Sequence, residues 1–267
     1  MTSPANIDVP SLGLALSGGG ARGLLHVGVL QALDEHGIRP QCISGTSIGA
    51  VVGALYSAGM KPYEMLDLLS GKGFLNLFRL KPSFSGLLEM RYLKSVLDSR
   101  LPDTYEELKI PLYVCATNLS KGDEKIFHSG ELRTTVVASA SIPVVFEPVI
   151  INEEKYVDGG VLNNLPASAL KGKCDMILGV EVNRGKFTKD LKTMKNVALE
   201  VFHLVVNKNS FEGMGLCDFV IRPELEASFD VFDFSKALKL FEKGYGYGME
   251  WVKGHKNDLM NRKLTSQ

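Results

Sequence analysis

The sequence has few cysteines, and none of them form a close pair. Among its 267 residues are only 4 cysteines, at positions 42, 115, 174 and 217, with no C-x-x-C spacing. Disulfide frameworks and thiolate metal sites use cysteines at recognisable spacings. We therefore expect free thiols, no cysteine-bound metal and a reducing compartment, for which the cytoplasm fits best.

The sequence also has no excess of charge of either sign. It carries 30 basic and 30 acidic side chains, for a formal net charge of +0. Proteins that bind polyanions usually have a surplus of positive charge. Nucleic acid is therefore not an expected partner.

Long hydrophobic runs and an apolar leader are absent as well. No stretch approaches the roughly 18 uninterrupted apolar residues of a spanning helix. The first residues, MTSPANIDVPS, have neither the basic nor the apolar part of a secretory signal. No repeat, low-complexity tract or linker divides the chain, so we predict a single domain over residues 1–267.

The order of the predicted elements indicates an α/β fold. A short apolar run at 12–17 ends in three glycines, helical spacing follows, and a second run at 41–44 leads into a helix from Ile48. This βαβα start implies a parallel sheet with helices on its faces. We predict three layers around a mainly parallel central sheet. Further strands are predicted at 111–119, 174–183 and 218–223, with a hairpin ending near 158, and helices near 90–99, 132–140, 190–209 and 235–260.

The first glycine cluster, Gly18 to Gly23, has two interpretations. It matches G-x-G-x-x-G between a strand and a helix, which is typical of dinucleotide sites. Such a site needs an acidic residue about 20 positions on, and the second strand ends in S-G-T-S instead. Backbone N–H groups at a helix N-terminus also stabilise an oxyanion, and we favour that interpretation.

The second glycine turn carries a candidate nucleophile. Gly45-Thr46-Ser47-Ile48-Gly49 reads G-x-S-x-G, the pattern of a serine on a sharp strand-to-helix turn. A serine hydroxyl needs a base to take its proton. If the two strands are neighbours, the glycine cluster and Ser47 lie at one edge of the sheet.

The base is less obvious. Of the histidines after Ser47, His203 falls within a predicted helix and His255 within a lysine-rich segment, so we expect both to be packed or solvated. Asp158 follows a predicted strand and precedes two glycines, which allow close approach of another group. A plain Asp-Gly turn is the alternative interpretation of Asp158.

Together these motifs resemble the patatin-like phospholipase family, in its bacterial, single-domain form. The sequences S-G-G-G-A-R-G (17–23), G-T-S-I-G (45–49) and D-G-G (158–160) have the order and spacing of that family. The segment ASASIPVVFEPV (138–149) and the run D-G-G-x-x-x-N-x-P, with Asn164 and Pro166, add to the resemblance. It covers roughly residues 10–170.

The resemblance implies a serine lipid hydrolase of phospholipase A type, without metal or organic cofactor. It makes Ser47 the acylated nucleophile, Asp158 its base, and the N–H groups of Gly18, Gly19 and Gly20 the oxyanion hole. Arg22 would either meet a lipid phosphate or brace the loop, and we favour bracing. Acyl transfer from the same acyl-enzyme, and lipid binding without turnover, are the alternatives.

Two apolar segments lie outside these motifs. Residues 71–88 are rich in Phe and Leu without a sustained period, and we consider them either a flap in peripheral contact with a membrane or a packed connector. The C-terminal helix repeats apolar residues that we expect in the core, with a homodimer or membrane face as the alternative: Phe234, Leu238, Phe241, Tyr245, Met249 and Val252.

Overall fold

A single eight-stranded sheet organises the structure, a computed structural model that describes residues 11–71, 93–184, 191–226, 229 and 233–261. The strand order is β5-β6-β3-β2-β1-β7-β8, with β4 paired to β3. The predicted α/β class is confirmed. The strands are β1 (Leu12–Leu16), β2 (Cys42–Thr46), β3 (Leu112–Asn118), β4 (Asp123–Phe127), β5 (Val149–Ile151), β6 (Glu154–Asp158), β7 (Met176–Val180) and β8 (Phe219–Ile221).

Five strands, β3-β2-β1-β7-β8, run parallel, as the βαβα start predicts. The strands β4, β5 and β6 pair antiparallel beside them. The predicted hairpin is β5–β6, whose turn residues Asn152 and Glu153 have positive φ of 48° and 68°. Two positive φ values match the twist of paired strands.

Each face of the sheet buries a different set of side chains. On β1, Leu12, Leu14 and Leu16 point into the main core, beneath α1, α2, α3 and α7, while Ala15 points to a smaller cluster beneath residues 165–170 and α6. This alternation produces the three layers. The helices are α1 (Leu24–Glu35), α2 (Ile48–Ser57), α3 (Pro62–Ser70), α4 (Arg133–Ser139), α5 (Met194–Lys208), α6 (Ser210–Gly215) and α7 (Ala237–Asn261).

The predicted core face of the C-terminal helix is confirmed only in part: Phe234, just before α7, and Val252 are buried as expected. Leu238 was expected in the core but is 58% exposed, whereas Leu240 is fully buried. The cause is close packing on α1, because a Cβ at Gly244 would lie 2.2 Å from the Leu25 carbonyl oxygen. Because glycines of α7 form its contact with α1, the spacing of large apolar side chains does not mark the buried face of this helix.

In the part of the chain that the structure describes, no helix has both the length and the hydropathy to cross a bilayer. Residues 93–98 are helical, within the helix predicted near 90–99. The segment 71–88, interpreted above as either a flap or a packed connector, lies outside the described residues apart from Gly71, so both interpretations stay predictions.

Candidate active site

The two glycine turns lie side by side at one edge of the sheet. Strands β1 and β2 are parallel neighbours with Leu16 opposite Gly45. Since parallel strands end at the same edge, the loop after β1 and the turn after β2 meet there. This juxtaposition is the one that the sequence predicts.

Ser47 sits on a strained turn between β2 and α2. Its φ of 55° and ψ of −125° are disfavoured for a residue with a side chain. A Cβ at Gly45 would lie 2.5 Å from the Gly49 carbonyl oxygen, so the turn closes only with glycine there. The G-x-S-x-G pattern is thus a steric requirement of the way Ser47 is presented.

A second serine holds this turn in place. The Ser47 backbone N–H donates to Ser139 Oγ at 2.9 Å, and that hydroxyl donates to the Cys115 carbonyl on β3 at 2.6 Å. Ser139 is fully buried at the end of α4. It therefore ties the backbone of Ser47 to the neighbouring strand, a role that the sequence alone does not indicate.

Asp158 ends β6 at the level of Ser47. It is opposite Ala116 of β3, next to Cys115, which pairs with Thr46. The Asp158 N–H donates to the Ser141 carbonyl at 2.9 Å, so the segment 139–141 holds the backbones of both Ser47 and Asp158.

The Asp158 carboxyl is buried and accepts hydrogen bonds from the Ser47 side chain and from the Gly160 N–H, the latter at 2.8 Å. Burial raises the pKa of Asp158 to about 6, although the hydrogen bonds from Ser47 and Gly160 lower it. This carboxylate is a stronger base than an exposed aspartate.

The loop after β1 offers fewer free donors than predicted. The Gly18 N–H donates to two oxygens of Asn164, the side-chain Oδ1 at 3.1 Å and the backbone carbonyl at 3.2 Å. This N–H is therefore not free to donate to an oxyanion. Among the described residues, no backbone hydrogen bond occupies the Gly19 or Gly20 N–H. The expected set of three donors narrows to Gly19 and Gly20.

A buried histidine supports this loop from behind. His26 Nε2 lies 2.8 Å from the Ser17 carbonyl oxygen. Burial lowers the pKa of His26 to about 4, although the Ser17 hydrogen bond raises it, so the ring is neutral near pH 7 and Nε2–H is the donor. The sequence does not indicate this role of His26, because the role depends on a carbonyl of the preceding turn.

Arg22 is buried, and its Nε and Nη2 donate to the Phe229 carbonyl at 3.1 and 3.0 Å. These contacts favour the bracing role over contact with a phosphate.

A small pocket, partly open to solvent, joins these groups. Its lining combines the glycine loop, Ser47 and Asp158 with polar and apolar side chains. The lining residues are Gly18, Gly19, Gly20, Ser47, Ile142, Asp158, Asn164, Asn183, Phe202, His203 and Val206.

His203 lies within α5, as expected, but it also lines this pocket, which the sequence analysis did not anticipate. It is buried, and its Nδ1 lies 3.8 Å from Glu200 Oε2. Leu199, His203 and Val206 share the inner face of α5, but the apolar residues on its opposite face make that spacing ambiguous in the sequence. His255, by contrast, packs against Phe219, as expected.

The similarity of this chain to known proteins extends beyond the motifs. An NTE family protein of Mycobacterium tuberculosis is 33% identical over 219 residues, covering 79% of this chain and 61% of that protein. Lysophospholipase NTE1 of Kluyveromyces lactis is 28% identical over 289 residues, covering 93% of this chain and 20% of that protein. The chain thus spans less than two thirds of the length of these relatives.

Two solved structures illustrate the shared fold. VipD from Legionella pneumophila superimposes with a TM-score of 0.57 at 17% identity, covering 93% of this chain and 67% of VipD. Human GIVD cytosolic phospholipase A2, in complex with methyl gamma-linolenyl fluorophosphonate, gives 0.51 at 12% identity, covering 98% and 61% of the two chains. The profile of the patatin-like phospholipase family matches residues 14–171, more than half of the chain. The chain belongs to the patatin-like phospholipase family.

Proposed function

We propose that this protein hydrolyses carboxylic esters of lipids, as a phospholipase A or lysophospholipase, through an acyl-Ser47 intermediate. The observation that carries the proposal is the contact between Ser47, on its strained turn, and the buried Asp158 carboxyl. Family membership and the name of the fungal relative support it. The single sheet of the described strands also supports the predicted single domain.

In the first half-reaction, the Asp158 carboxylate takes the Ser47 proton as Oγ attacks the ester carbonyl carbon. The carbonyl oxygen becomes an oxyanion, to which the Gly19 and Gly20 N–H groups donate. The intermediate then collapses, and the leaving alcohol takes the proton from Asp158. The acyl group remains on Ser47 Oγ.

In the second half-reaction, water attacks the acyl-enzyme and Asp158 takes its proton. Collapse of this intermediate releases the fatty acid and returns the proton to Ser47. Ile142, Phe202 and Val206 give the pocket apolar walls suited to an acyl chain.

The proposal is tested by two assays on the purified protein. A fluorophosphonate probe should label Ser47, identified by mass spectrometry of the modified peptide. A panel of phospholipids and lysophospholipids should yield free fatty acid in an amount equal to the deacylated product. If the folded protein is neither labelled nor releases fatty acid, the proposal is wrong, and acyl groups found on an added alcohol would indicate a transferase.

The pKa of Asp158 predicts how the activity depends on pH. A base must be ionised, so we expect kcat/KM on a soluble ester to fall about tenfold per pH unit below about 6 and to be flat above it. Return to pH 8 after acid exposure should restore the rate, showing that the loss is not unfolding. A rate that is still maximal at pH 4 would contradict the role of Asp158.

Ser139→Ala tests the positioning of the nucleophile. The substitution leaves the buried Ser47 N–H without its acceptor, so we expect kcat to fall roughly ten- to a hundredfold with little change in KM. The matched control is Ser141→Ala, because the Ser141 hydroxyl is also buried but donates to the Val137 carbonyl. The positioning role fails if both folded variants keep the wild-type kcat and the wild-type rate of fluorophosphonate labelling.

A further inference from the structure

Helix α5 presents an apolar row to solvent. Four large apolar side chains along its outer face are between 39% and 85% exposed, and Phe211 of α6 is 58% exposed. We call the four side chains the outer row: Met194, Val197, Val201 and Leu204. Their spacing of three and four residues places them on one side of the helix.

This exposure is the reverse of an ordinary amphipathic helix, whose solvent face is polar. The inner face of α5 is already apolar, with Leu199 and Val206 buried against the rest of the protein. Apolar contacts on that side therefore do not explain the outer row. Contiguous exposed apolar side chains on a protein mark a surface that is used.

The outer row belongs to the helix that walls the candidate active site. Phe202, His203 and Val206 of α5 line the pocket that contains Ser47. Just beyond the helix, the Asn209 side chain donates to the Val161 carbonyl at 2.5 Å, in the turn that follows Asp158. The outer row is thus about one helix diameter, roughly 10 Å, from the pocket.

The exposed charged side chains of α5 are positive. Lys195 and Lys208 are exposed near the two ends of α5, and the exposed positions of this helix carry no carboxylate. Apolar side chains flanked by lysines fit an anionic lipid surface, which gains from both burial and electrostatic attraction.

We propose that the outer row of α5 docks on the surface of a phospholipid bilayer that contains anionic lipid. This docking would place the pocket within one helix thickness of the membrane that contains the lipid substrate. The role of the membrane as the source of substrate rests on the proposed function. The outer row shares no residue with the segment 71–88.

The test compares two double variants that remove exposed apolar side chains. Val201→Gln with Leu204→Gln alters the outer row, whereas Tyr63→Gln with Leu238→Gln is the control, matched because Leu204 is 57% and Leu238 58% exposed. Binding is measured by co-sedimentation with vesicles of equal parts phosphatidylcholine and phosphatidylglycerol. We expect the outer-row variant to bind at least about tenfold more weakly than the wild type, and the control to bind normally.

Hydrolysis of a soluble short-chain ester is measured on the same proteins and should be equal in all of them. If the wild type binds vesicles but does not hydrolyse the soluble ester, the proposed function is wrong and the docking proposal still holds. Equal vesicle binding by both variants, or no binding by the wild type, would overturn the docking proposal. A sharp fall in the melting temperature of the outer-row variant would also overturn the proposal, because the row is then covered by the chain itself. So would a change from dimer to monomer in this variant with vesicle binding unchanged, because the row is then a dimer interface.

Discussion

Ser47→Ala is expected to reduce ester hydrolysis by at least about a thousandfold and to abolish labelling by fluorophosphonate. Without Oγ, position 47 has no atom that can take the acyl group. What remains is the effect of binding and of the oxyanion donors. The melting temperature should change little, because alanine keeps the backbone of the turn and the Ser47 N–H bond to Ser139.

The matched control for this variant is Ser44→Ala. Ser44 is fully buried on the same strand, and within the described ranges its hydroxyl has no hydrogen-bond partner. Its replacement should leave turnover unchanged. If folded Ser47→Ala keeps more than a few per cent of wild-type turnover, the nucleophile is another residue.

Local sequence determines the parts of this site that depend on neighbours in the chain. The turn at Ser47 was predictable because an apolar strand, two glycines and an apolar helix follow each other within a few residues. The juxtaposition of the two glycine turns was predictable because consecutive βα units place their strands in parallel.

Contacts between distant segments could not be predicted in the same way. Whether the Gly18 N–H is free depends on Asn164, which lies 146 residues further along the chain. Ser139 and His26 likewise act through carbonyls or N–H groups, and backbone groups are the same at every position. A sequence pattern therefore cannot show which of them a side chain will meet.

Helix α5 illustrates a different limit. Its position near 190–209 was predicted, but Leu199 and Val201 are both apolar and face opposite sides of the helix. Apolar residues on both faces make the inner side ambiguous, and only tertiary packing resolves it. The presence of His203 in the pocket wall was missed for this reason.

Asp158→Asn is the second substitution with a large expected effect, a loss of at least about a thousandfold in turnover at neutral pH. The asparagine keeps the shape and can still accept from the Gly160 N–H, but it cannot take the proton of Ser47. His203→Gln is the companion variant and should keep activity within a few-fold. If His203→Gln inactivates a folded protein as completely, the base is the histidine and a Ser–His–acid triad is the better mechanism.

The stability of Asp158→Asn separates a catalytic carboxylate from a structural one. The folded-state pKa of Asp158 is about 6, above its ordinary value of 3.8, so the native state binds this proton more tightly than the unfolded state. The wild-type protein therefore loses stability as the pH rises from about 4 to about 6, and the loss persists above that range. An asparagine does not ionise, so the variant should be more stable than the wild type at pH 8, by up to about 3 kcal/mol, an advantage that disappears below pH 4. Thermal unfolding at the two pH values measures this difference. If the variant is inactive and less stable than the wild type at pH 8, Asp158 is a structural residue. If it is inactive and more stable, the wild-type carboxylate destabilises the fold and is explained by its catalytic role.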